Sequence, residues 1–167
     1  EDVRKAVSSD FKKPGDAIFI VGETHQELGA SELAFMLRDE GSGGIGGDVP
    51  DIEPERNMKV YRALASSMKN GLVSSAHDCS DGGLAVALAE CCFGADSGAS
   101  IDISPLQSDC SGLDDWGALF GESLGRILVS VRPSEKEAFE KSMEGVCCHY
   151  LGLVSEGDAI SISRDGE

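Results

Sequence analysis

The chain has few basic residues, few aromatic residues and no long apolar run. Lys and Arg number 14 against 30 Asp and Glu, which gives a formal net charge of −16 at pH 7. Because phosphate and anionic lipid are bound chiefly through Lys and Arg, this balance argues against a nucleic-acid or membrane partner. No apolar stretch approaches the roughly 18 residues of a membrane span, and no signal-peptide pattern opens the sequence. We therefore expect a cytoplasmic protein.

The cysteines and histidines lack the spacings that mark common metal and catalytic sites. None of the six cysteines stands in a C-x-x-C pair, and the three histidines form no His-x-x-x-His pair or Ser-His-Asp series. Cytosolic redox conditions favour reduced, structural thiols over a disulfide or zinc framework. His149, on a predicted strand, is more typical of packing than of catalysis, and His25 of a polar surface.

The length of 167 residues fits a single domain over 1–167 that is large enough to bury a core. Because the first residue is Glu1 rather than Met, we expect the chain to be part of a longer protein. Five glycines fall within 41–47, and we interpret 41–50 as a flexible loop. Asp48 follows these glycines where a Walker phosphate loop would need Lys and a hydroxyl, so that mechanism is excluded.

Apolar patterning predicts alternating strands and helices, and so an α+β fold with a mixed, largely antiparallel sheet packed with helices. Strands are predicted over 17–21, 72–76, 99–103, 127–131, 150–154 and 159–162, the last two forming a hairpin about 156–158. Helices are predicted over 32–40, from Pro54 to just before Gly71, from Leu84 to near Gly94, after Asp115 and after Ser134. Residues 104–115 are predicted to be a surface loop.

Helix caps and faces give further local predictions. Ser31 and Asp115 are candidate N-caps, and Ser134 with Glu137 fits a capping box that turns Phe139 and Met143 inward. Three- and four-residue spacing in the helix after Pro54 predicts a buried face. Its members would be Met58, Tyr61, Leu64, Ala65 and Met68.

The stretch from His77 to Gly83 concentrates chemically active groups: an imidazole, two carboxylates, a hydroxyl and two glycines. It is predicted to form a loop between the end of a strand and the start of a helix, where such groups can meet an anion or a metal. Alternatively, Asp81 is only a helix N-cap and the glycines only a turn. The loop alone leaves both interpretations open. A second run, Glu122, Ser123 and Arg126 before a strand, lines either a polar site or an ordinary turn.

Ordered blocks along the chain, together with the sequence from Ser75 to Glu90, resemble the final C-terminal domain of the phosphoribosylformylglycinamidine synthase family. This family is a duplicated member of the aminoimidazole ribonucleotide synthase superfamily. The further blocks are 2–7, 14–16, 21–24, 27–33, 49–50, 71–73 and 119–123. Where many members of the family have Gly-Gly-Ser-Glu, this chain carries Ala30, and a methyl group there is tolerated unless the backbone needs a positive φ.

The resemblance implies an ATP-dependent ligase of purine biosynthesis. Such an enzyme converts formylglycinamide ribonucleotide, ATP and ammonia to the amidine, ADP and phosphate, using Mg²⁺ and ammonia released from glutamine by a glutaminase subunit or domain. The ATP-binding N-terminal domains of the same enzyme would be partners of this domain. Since they are not in this sequence, we expect the isolated chain to be inactive.

The resemblance also implies roles for the residues of the His77–Gly83 stretch. His77 is the candidate catalytic group, acting on a developing oxyanion or on phosphate. Asp78 and Asp81 are candidate magnesium ligands. The implied nucleotide and phosphate contacts are His77, Ser80, Gly82, Gly83, Ser123 and Arg126.

In a duplicated enzyme, one of the two equivalent sites can become structural, so the loop either takes part in catalysis or holds a nucleotide that is not hydrolysed. Two other functions remain open. The chain could be the C-terminal domain of a related small-molecule kinase, or a free-standing nucleotide-binding or scaffold module of the same superfamily.

Overall fold

A six-stranded sheet organises residues 2–38, 47–95 and 97–166, which the computed structural model describes. The strands are β1 (Ala17–Val21), β2 (Ser75–Asp78), β3 (Gly98–Asp102), β4 (Ile127–Val131), β5 (Cys148–Ser155) and β6 (Ile160–Ser163). The α-helices are α1 (Glu32–Met36), α2 (Pro54–Lys69), α3 (Gly83–Phe93), α4 (Asp115–Phe120) and α5 (Lys136–Ser142). Short 3-10 helices span Val3–Lys5, Ser104–Ser108 and Pro133–Glu135. Most of the predicted 41–50 loop lies outside the described residues.

The sheet order is β2-β4-β1-β5-β3-β6, and every neighbouring pair is antiparallel except β3 with β6. The prediction of an α+β fold with a mixed, largely antiparallel sheet is therefore confirmed. The predicted terminal hairpin is wrong, because β5 already has β1 and β3 as its two neighbours. The chain after β5 crosses over β3 and pairs with it in parallel, with Ala99 opposite Ile160.

The core lies on both faces of the sheet. On one face, Ile18 and Ile20 of β1 pack in a cluster with Leu84 and Leu88 of α3. On the other face, the alternate β1 residues pack in a cluster with α2 and α5. Members of this second cluster include Ala17, Phe19, Val21, Val60, Leu64, Phe139 and Met143. The continuous apolar run of β1 is explained by this double burial. None of the described helices is long and apolar enough to cross a membrane.

The buried face of α2 differs from the predicted one. Met58 and Tyr61 are 43% and 42% exposed and Ala65 is also exposed. Leu64 is buried and Met68 is partly buried against the core, as predicted. The buried stripe also contains Ser67, whose hydroxyl donates to the Ala63 carbonyl at 2.9 Å. The buried stripe therefore consists of Val60, Leu64 and Ser67, and apolar spacing gives no signal for the polar Ser67.

The helix starts show which caps form. Ser31 caps α1 by accepting from the Ala34 N–H at 3.1 Å, as predicted. Helix α4 is capped by Asp114, one residue before the predicted Asp115. The prediction of a capping box at Ser134 is wrong, because Pro133 starts a 3-10 helix there and α5 begins only at Lys136.

Two predictions about buried apolar positions have different outcomes. Phe139 and Met143 are buried, as the helical pattern after Ser134 predicts. The predicted surface loop at 104–115 instead contains the 3-10 helix Ser104–Ser108, and its Leu106 is fully buried in the core. Leu113 of the same stretch is also buried, and isolated leucines in a polar stretch are a weak sequence signal, which explains the miss.

Candidate functional site

Strand β2 extends further than its apolar pattern indicates, so His77 and Asp78 lie on the strand rather than in a loop. Pairing with β4 runs from Ser75 opposite Ser130 to Asp78 opposite Ile127. The strand was predicted at 72–76; it instead begins at Ser75, and its backbone pairing carries on through polar residues, because a strand of an antiparallel sheet needs apolar side chains only on a covered face. The connection to α3 is consequently only four residues long.

The side chains of this connection separate into buried and exposed groups. Cys79 is buried in the core, and its N–H donates to the Arg126 carbonyl at 3.0 Å. Burial raises the pKa of the Cys79 thiol, which therefore stays protonated. Asp78, Ser80 and Asp81 are exposed. The groups that the chain presents to solvent here are thus two carboxylates and a hydroxyl.

Asp78 and Ser80 form a fixed pair on this surface. The Ser80 hydroxyl donates to Asp78 Oδ2 at 2.5 Å, and the side chain of Asp78 is 74% exposed. This hydrogen bond holds the pKa of Asp78 below its ordinary value. Asp78 is therefore ionised at neutral pH, with oxygen lone pairs turned toward solvent.

His77 is held between two carboxylates. Its Nε2 lies 2.8 Å from Glu90 Oε2 on α3, and its Nδ1 lies 3.5 Å from Asp78 Oδ1. These contacts tie β2 to α3 and orient the imidazole ring. Glu90 falls thirteen residues after His77, and the sequence analysis did not identify it, because no motif spacing relates a strand residue to the last turns of the following helix.

The two glycines adopt left-handed backbone conformations, with φ of 78° at Gly82 and 66° at Gly83. Gly82 is the N-cap of α3 and has no side-chain cap, so the interpretation of Asp81 as the N-cap is wrong. The Gly82 N–H donates to Glu122 Oε1 at 2.9 Å, and the Gly83 N–H donates to the Ser80 carbonyl at 3.0 Å. Both N–H groups therefore have partners within the chain.

Glu122 places a carboxylate where helix N-termini favour an anion. Its Oε1 accepts from Gly82 N–H at the start of α3 and from Glu32 N–H, at 2.8 Å, at the start of α1. Both helices thus have an anion from the chain itself at their N-termini. The role of Glu122 joins three distant segments, and local sequence around Glu122, which indicates a polar site or a turn, does not predict it.

Ser123 and Arg126, predicted as nucleotide contacts, are buried in the structure, each 1% exposed. The Ser123 hydroxyl accepts from His25 N–H at 3.0 Å. The Arg126 guanidinium donates to the carbonyls of Ser123 and Gly121 and to the hydroxyl of Thr24. These side chains tie the segments after β1 and before β4 together, and neither reaches the surface that Asp78 and Ser80 form.

Metal-ligating side chains gather elsewhere as well. Among the described residues, Asp78 and Asp81 do not join a third His, Cys, Asp or Glu in a compact group of ligand atoms. Asp109, Cys147 and His149 do, with ligand atoms within 4.8 Å of one another. The sequence signal that could have found them is the Cys-x-His spacing at the start of a strand, which puts both side chains on one face.

The chain is similar to known proteins over nearly its whole length. The family described as "AIR synthase related protein, C-terminal domain" matches residues 13–165. A curated relative, "Phosphoribosylformylglycinamidine synthase subunit PurL" of Parafrankia sp., is 34% identical over 169 residues. That match covers 100% of this chain but only 21% of the relative, so the chain spans about a fifth of the relative's length.

Solved structures share the fold. "T. maritima PurL complexed with FGAR" has a TM-score of 0.82 at 20% identity, covering 98% of this chain and 28% of that chain. "T. maritima PurL complexed with ATP" has a TM-score of 0.73 at 20% identity, with 98% and 26% covered. The Escherichia coli hydrogenase maturation protein HypE has a TM-score of 0.64 at 18% identity, with 94% and 49% covered.

Proposed function

This chain belongs to the family of AIR synthase related proteins, C-terminal domain, and we propose that it serves as that domain in a phosphoribosylformylglycinamidine synthase. The observation that carries the proposal is the 34% identity to a synthase subunit over the whole length of this chain. The likeness to HypE is a likeness of fold at 18% identity, so it gives no support to a different activity.

The parent enzyme would join ammonia to formylglycinamide ribonucleotide. ATP phosphorylates the amide oxygen, ammonia displaces the phosphate, and the products are the amidine, ADP and phosphate. The ammonia would come from glutamine through a glutaminase subunit or domain, and a neighbour in fold is solved as "Structure of PurLQS from Thermotoga maritima". Because such enzymes draw on ATP and glutamine, we place the parent protein in the cytoplasm.

The exposed carboxylates at and after the end of β2 would bind a Mg²⁺ ion that accompanies the nucleotide. Magnesium prefers oxygen ligands and binds through one or two carboxylates together with phosphates and water. Asp78, ionised and open to solvent, and the exposed Asp81 fit that requirement. The ion would offset phosphate charge. Asp78 and Asp81 would hold it, and Ser80 would keep the Asp78 carboxylate oriented.

His77 would act beside these carboxylates, on phosphate or on a developing oxyanion. Its ring is oriented by Glu90 at 2.8 Å, so it meets a substrate in a fixed direction. Because the N–H groups of Gly82 and Gly83 already have partners, we assign nucleotide contact here to side chains. Gly82, Gly83, Ser123 and Arg126 would then position the loop, holding it in the conformation that presents those side chains.

The N-terminal domains of the parent enzyme would cover an apolar surface that this chain leaves exposed. Phe35, Met36 and Leu37 are exposed on and just after α1, although they are large and apolar. Val49 and Ile52 are also exposed. A hydrogen bond from the Gly29 N–H to the Asp48 carbonyl joins their segment to the residues just before α1. Exposed patches of this kind commonly mark an interface.

Turnover of the parent synthase and of this chain alone tests the proposal. We expect the parent to form ADP from ATP only when formylglycinamide ribonucleotide and ammonia are both present. The 167-residue chain, which spans about a fifth of its relative, should form none. Substrate-dependent ADP formation by the isolated chain, or ATP hydrolysis by the parent that ignores the ribonucleotide, would refute the assignment.

A further inference from the structure

Three metal-ligating side chains converge beside β5, at a place that the proposed function does not use. Asp109 Oδ1 lies 2.7 Å from His149 Nε2, and Cys147 Sγ lies 3.3 Å from His149 Nε2 and 3.4 Å from Asp109 Oδ1. All three residues are half-buried. The three atoms form a triangle with one short side, between Asp109 and His149, and two longer sides to sulfur.

The fold brings these residues together from two directions. Cys147 directly precedes β5 and His149 is its second residue; the two are two positions apart in extended chain, so both side chains lie on the same side. Asp109 follows the 3-10 helix Ser104–Ser108, and its second oxygen, Oδ2, accepts from the Thr24 N–H at 3.0 Å. This backbone hydrogen bond fixes the carboxylate and leaves Oδ1 directed at the thiol and the imidazole, as outer partners of metal ligands do.

Hydrogen bonds can occupy only two sides of the triangle at once. Sγ and Nε2 carry at most one proton each, and Oδ1 of an ionised carboxylate carries none. Two protons can make two of the three contacts into hydrogen bonds, and the third pair then meets without a proton between its atoms. A single cation at the centre would satisfy all three atoms at once.

We propose that Asp109, Cys147 and His149 bind a transition-metal ion of the zinc type. One sulfur, one imidazole nitrogen and one carboxylate oxygen are the donors that Zn²⁺ selects, and the thiolate disfavours Mg²⁺ and Ca²⁺. Zinc bonds of about 2.0 to 2.3 Å in a tetrahedron put ligand atoms about 3.3 to 3.6 Å apart. The two sulfur contacts are already near that spacing, and the contact between Asp109 and His149 would widen as the ion replaces their shared proton.

Charge at the cluster favours a cation. The Asp109 carboxylate contacts the Cys147 thiol at 3.4 Å, and the Glu23 carboxylate lines the same cavity as Cys147. On binding, a divalent ion would displace the thiol proton and neutralise the charges of the thiolate and of the Asp109 carboxylate.

Through Cys147, the cluster adjoins a cleft. Cys147 lines a cavity of about 400 Å³, together with Gly22, Glu23, Arg56 and Val146. This cavity gives an ion a path from solvent and room for a bound water or a small exchangeable ligand. Three protein ligands with one open position are the arrangement of exchangeable zinc sites rather than of closed structural ones.

Titration of the metal-free 167-residue chain with Co²⁺, followed by competition with Zn²⁺, tests this site. Co²⁺ bound to a thiolate gives a sulfur-to-metal charge-transfer band in the near ultraviolet and strong visible bands when tetrahedral. We expect these bands to saturate at one equivalent in the unaltered chain and to vanish on adding Zn²⁺. Cys147→Ser should abolish the charge-transfer band, and Asp109→Asn should weaken Zn²⁺ binding by about 100-fold, since even loss of an outer partner costs 10- to 100-fold.

Cys148→Ser is the matched control, because Cys148 is the adjacent thiol and packs in the apolar cluster on the other face of the sheet. It should keep the full spectrum. Absence of a charge-transfer band in the unaltered chain, its retention in Cys147→Ser, or its equal loss in Cys148→Ser would overturn the site. If Cys147→Ser does not fold, the unaltered chain and the Cys148→Ser variant decide between these outcomes by themselves.

Discussion

Glu122 and Gly82, 40 residues apart in sequence, are joined by a 2.9 Å hydrogen bond from the glycine N–H to the carboxylate. The same carboxylate oxygen accepts from Glu32 N–H at the start of α1. One side chain therefore fixes two helix starts and the connection that carries Asp78 and Asp81. The geometry of the candidate site depends on this link as much as on the site residues themselves.

Replacing Glu122 with Gln should loosen both helix starts. The amide keeps an oxygen acceptor but loses the negative charge that interacts with two helix N-termini, so we expect a loss of about 1 kcal/mol in the free energy of unfolding. Urea denaturation measures it. Glu156→Gln, at an exposed turn position, is the matched control and should change stability by less than about 0.5 kcal/mol. Equal effects of the two substitutions would rule out the capping role of Glu122.

Gly83 should not tolerate a side chain. A Cβ there would lie 2.5 Å from the Gly121 carbonyl oxygen and 2.9 Å from that of Leu119, in addition to the strain of a φ of 66°. We expect Gly83→Ala to lower the free energy of unfolding by about 3 kcal/mol or more. Gly112→Ala separates the two causes, since Gly112 has a φ of 83° with nothing within 4 Å. It should lose only about 1 to 2 kcal/mol. Similar losses at both positions would show that close packing of α3 on α4 contributes little.

Ala30 has a φ of 60°, so the condition under which a methyl group is tolerated at this position is not met. Ala30→Gly should raise the free energy of unfolding by about 0.5 to 1 kcal/mol, because the relief of left-handed strain exceeds the added flexibility of the unfolded chain. Ala65→Gly, at an exposed position within α2, should instead lower it by about 1 kcal/mol. Thermal denaturation of both variants measures these changes. Destabilisation by Ala30→Gly would mean that residue 30 is not strained.

The N-cap of α4 should make stability depend on pH in the acidic range. The Gly117 N–H, 2.8 Å from Asp114 Oδ1, holds the pKa of Asp114 below its ordinary value of about 3.9. Because the pKa is lower in the folded state, this stabilisation is present above about pH 4 and is lost as the pH falls through the folded-state pKa. Unfolding of Asp114→Asn, measured near pH 7 and near pH 3, should show a smaller difference than the unaltered chain. An unchanged difference would exclude Asp114 as a contributor.

Much of the fold follows from local sequence patterns, and the errors have physical causes. The double-sided apolar run of β1 and the Ser31 cap of α1 are predictable, because each depends on neighbouring residues. The partner of β6 is not predictable in this way, because it depends on which strand edges are free once β5 lies between β1 and β3. The face of α2 was missed in part, because the buried Ser67 is polar and gives no apolar signal.

The candidate site divides in the same way. The concentration of functional groups between His77 and Gly83 is visible in the sequence, and the structure exposes Asp78, Ser80 and Asp81 from that stretch. The partners that orient these groups, Glu90 and Glu122, come from other elements, and only tertiary packing brings them near. The burial of Arg126 could not be predicted either, because the carbonyl and hydroxyl groups that accept from its guanidinium are brought together only by the fold.

Binding of ADP with Mg²⁺ to the parent synthase, compared between Asp78→Asn and Asp158→Asn, tests the role of the candidate site most directly. Asp158 is exposed in the turn between β5 and β6 and is the matched carboxylate. We expect Asp78→Asn to weaken Mg²⁺-dependent binding by about tenfold or more, since it removes a charged ligand from the ion. Asp158→Asn should bind as the unaltered enzyme does. Unchanged binding and turnover in Asp78→Asn would contradict the assignment of this connection to the nucleotide.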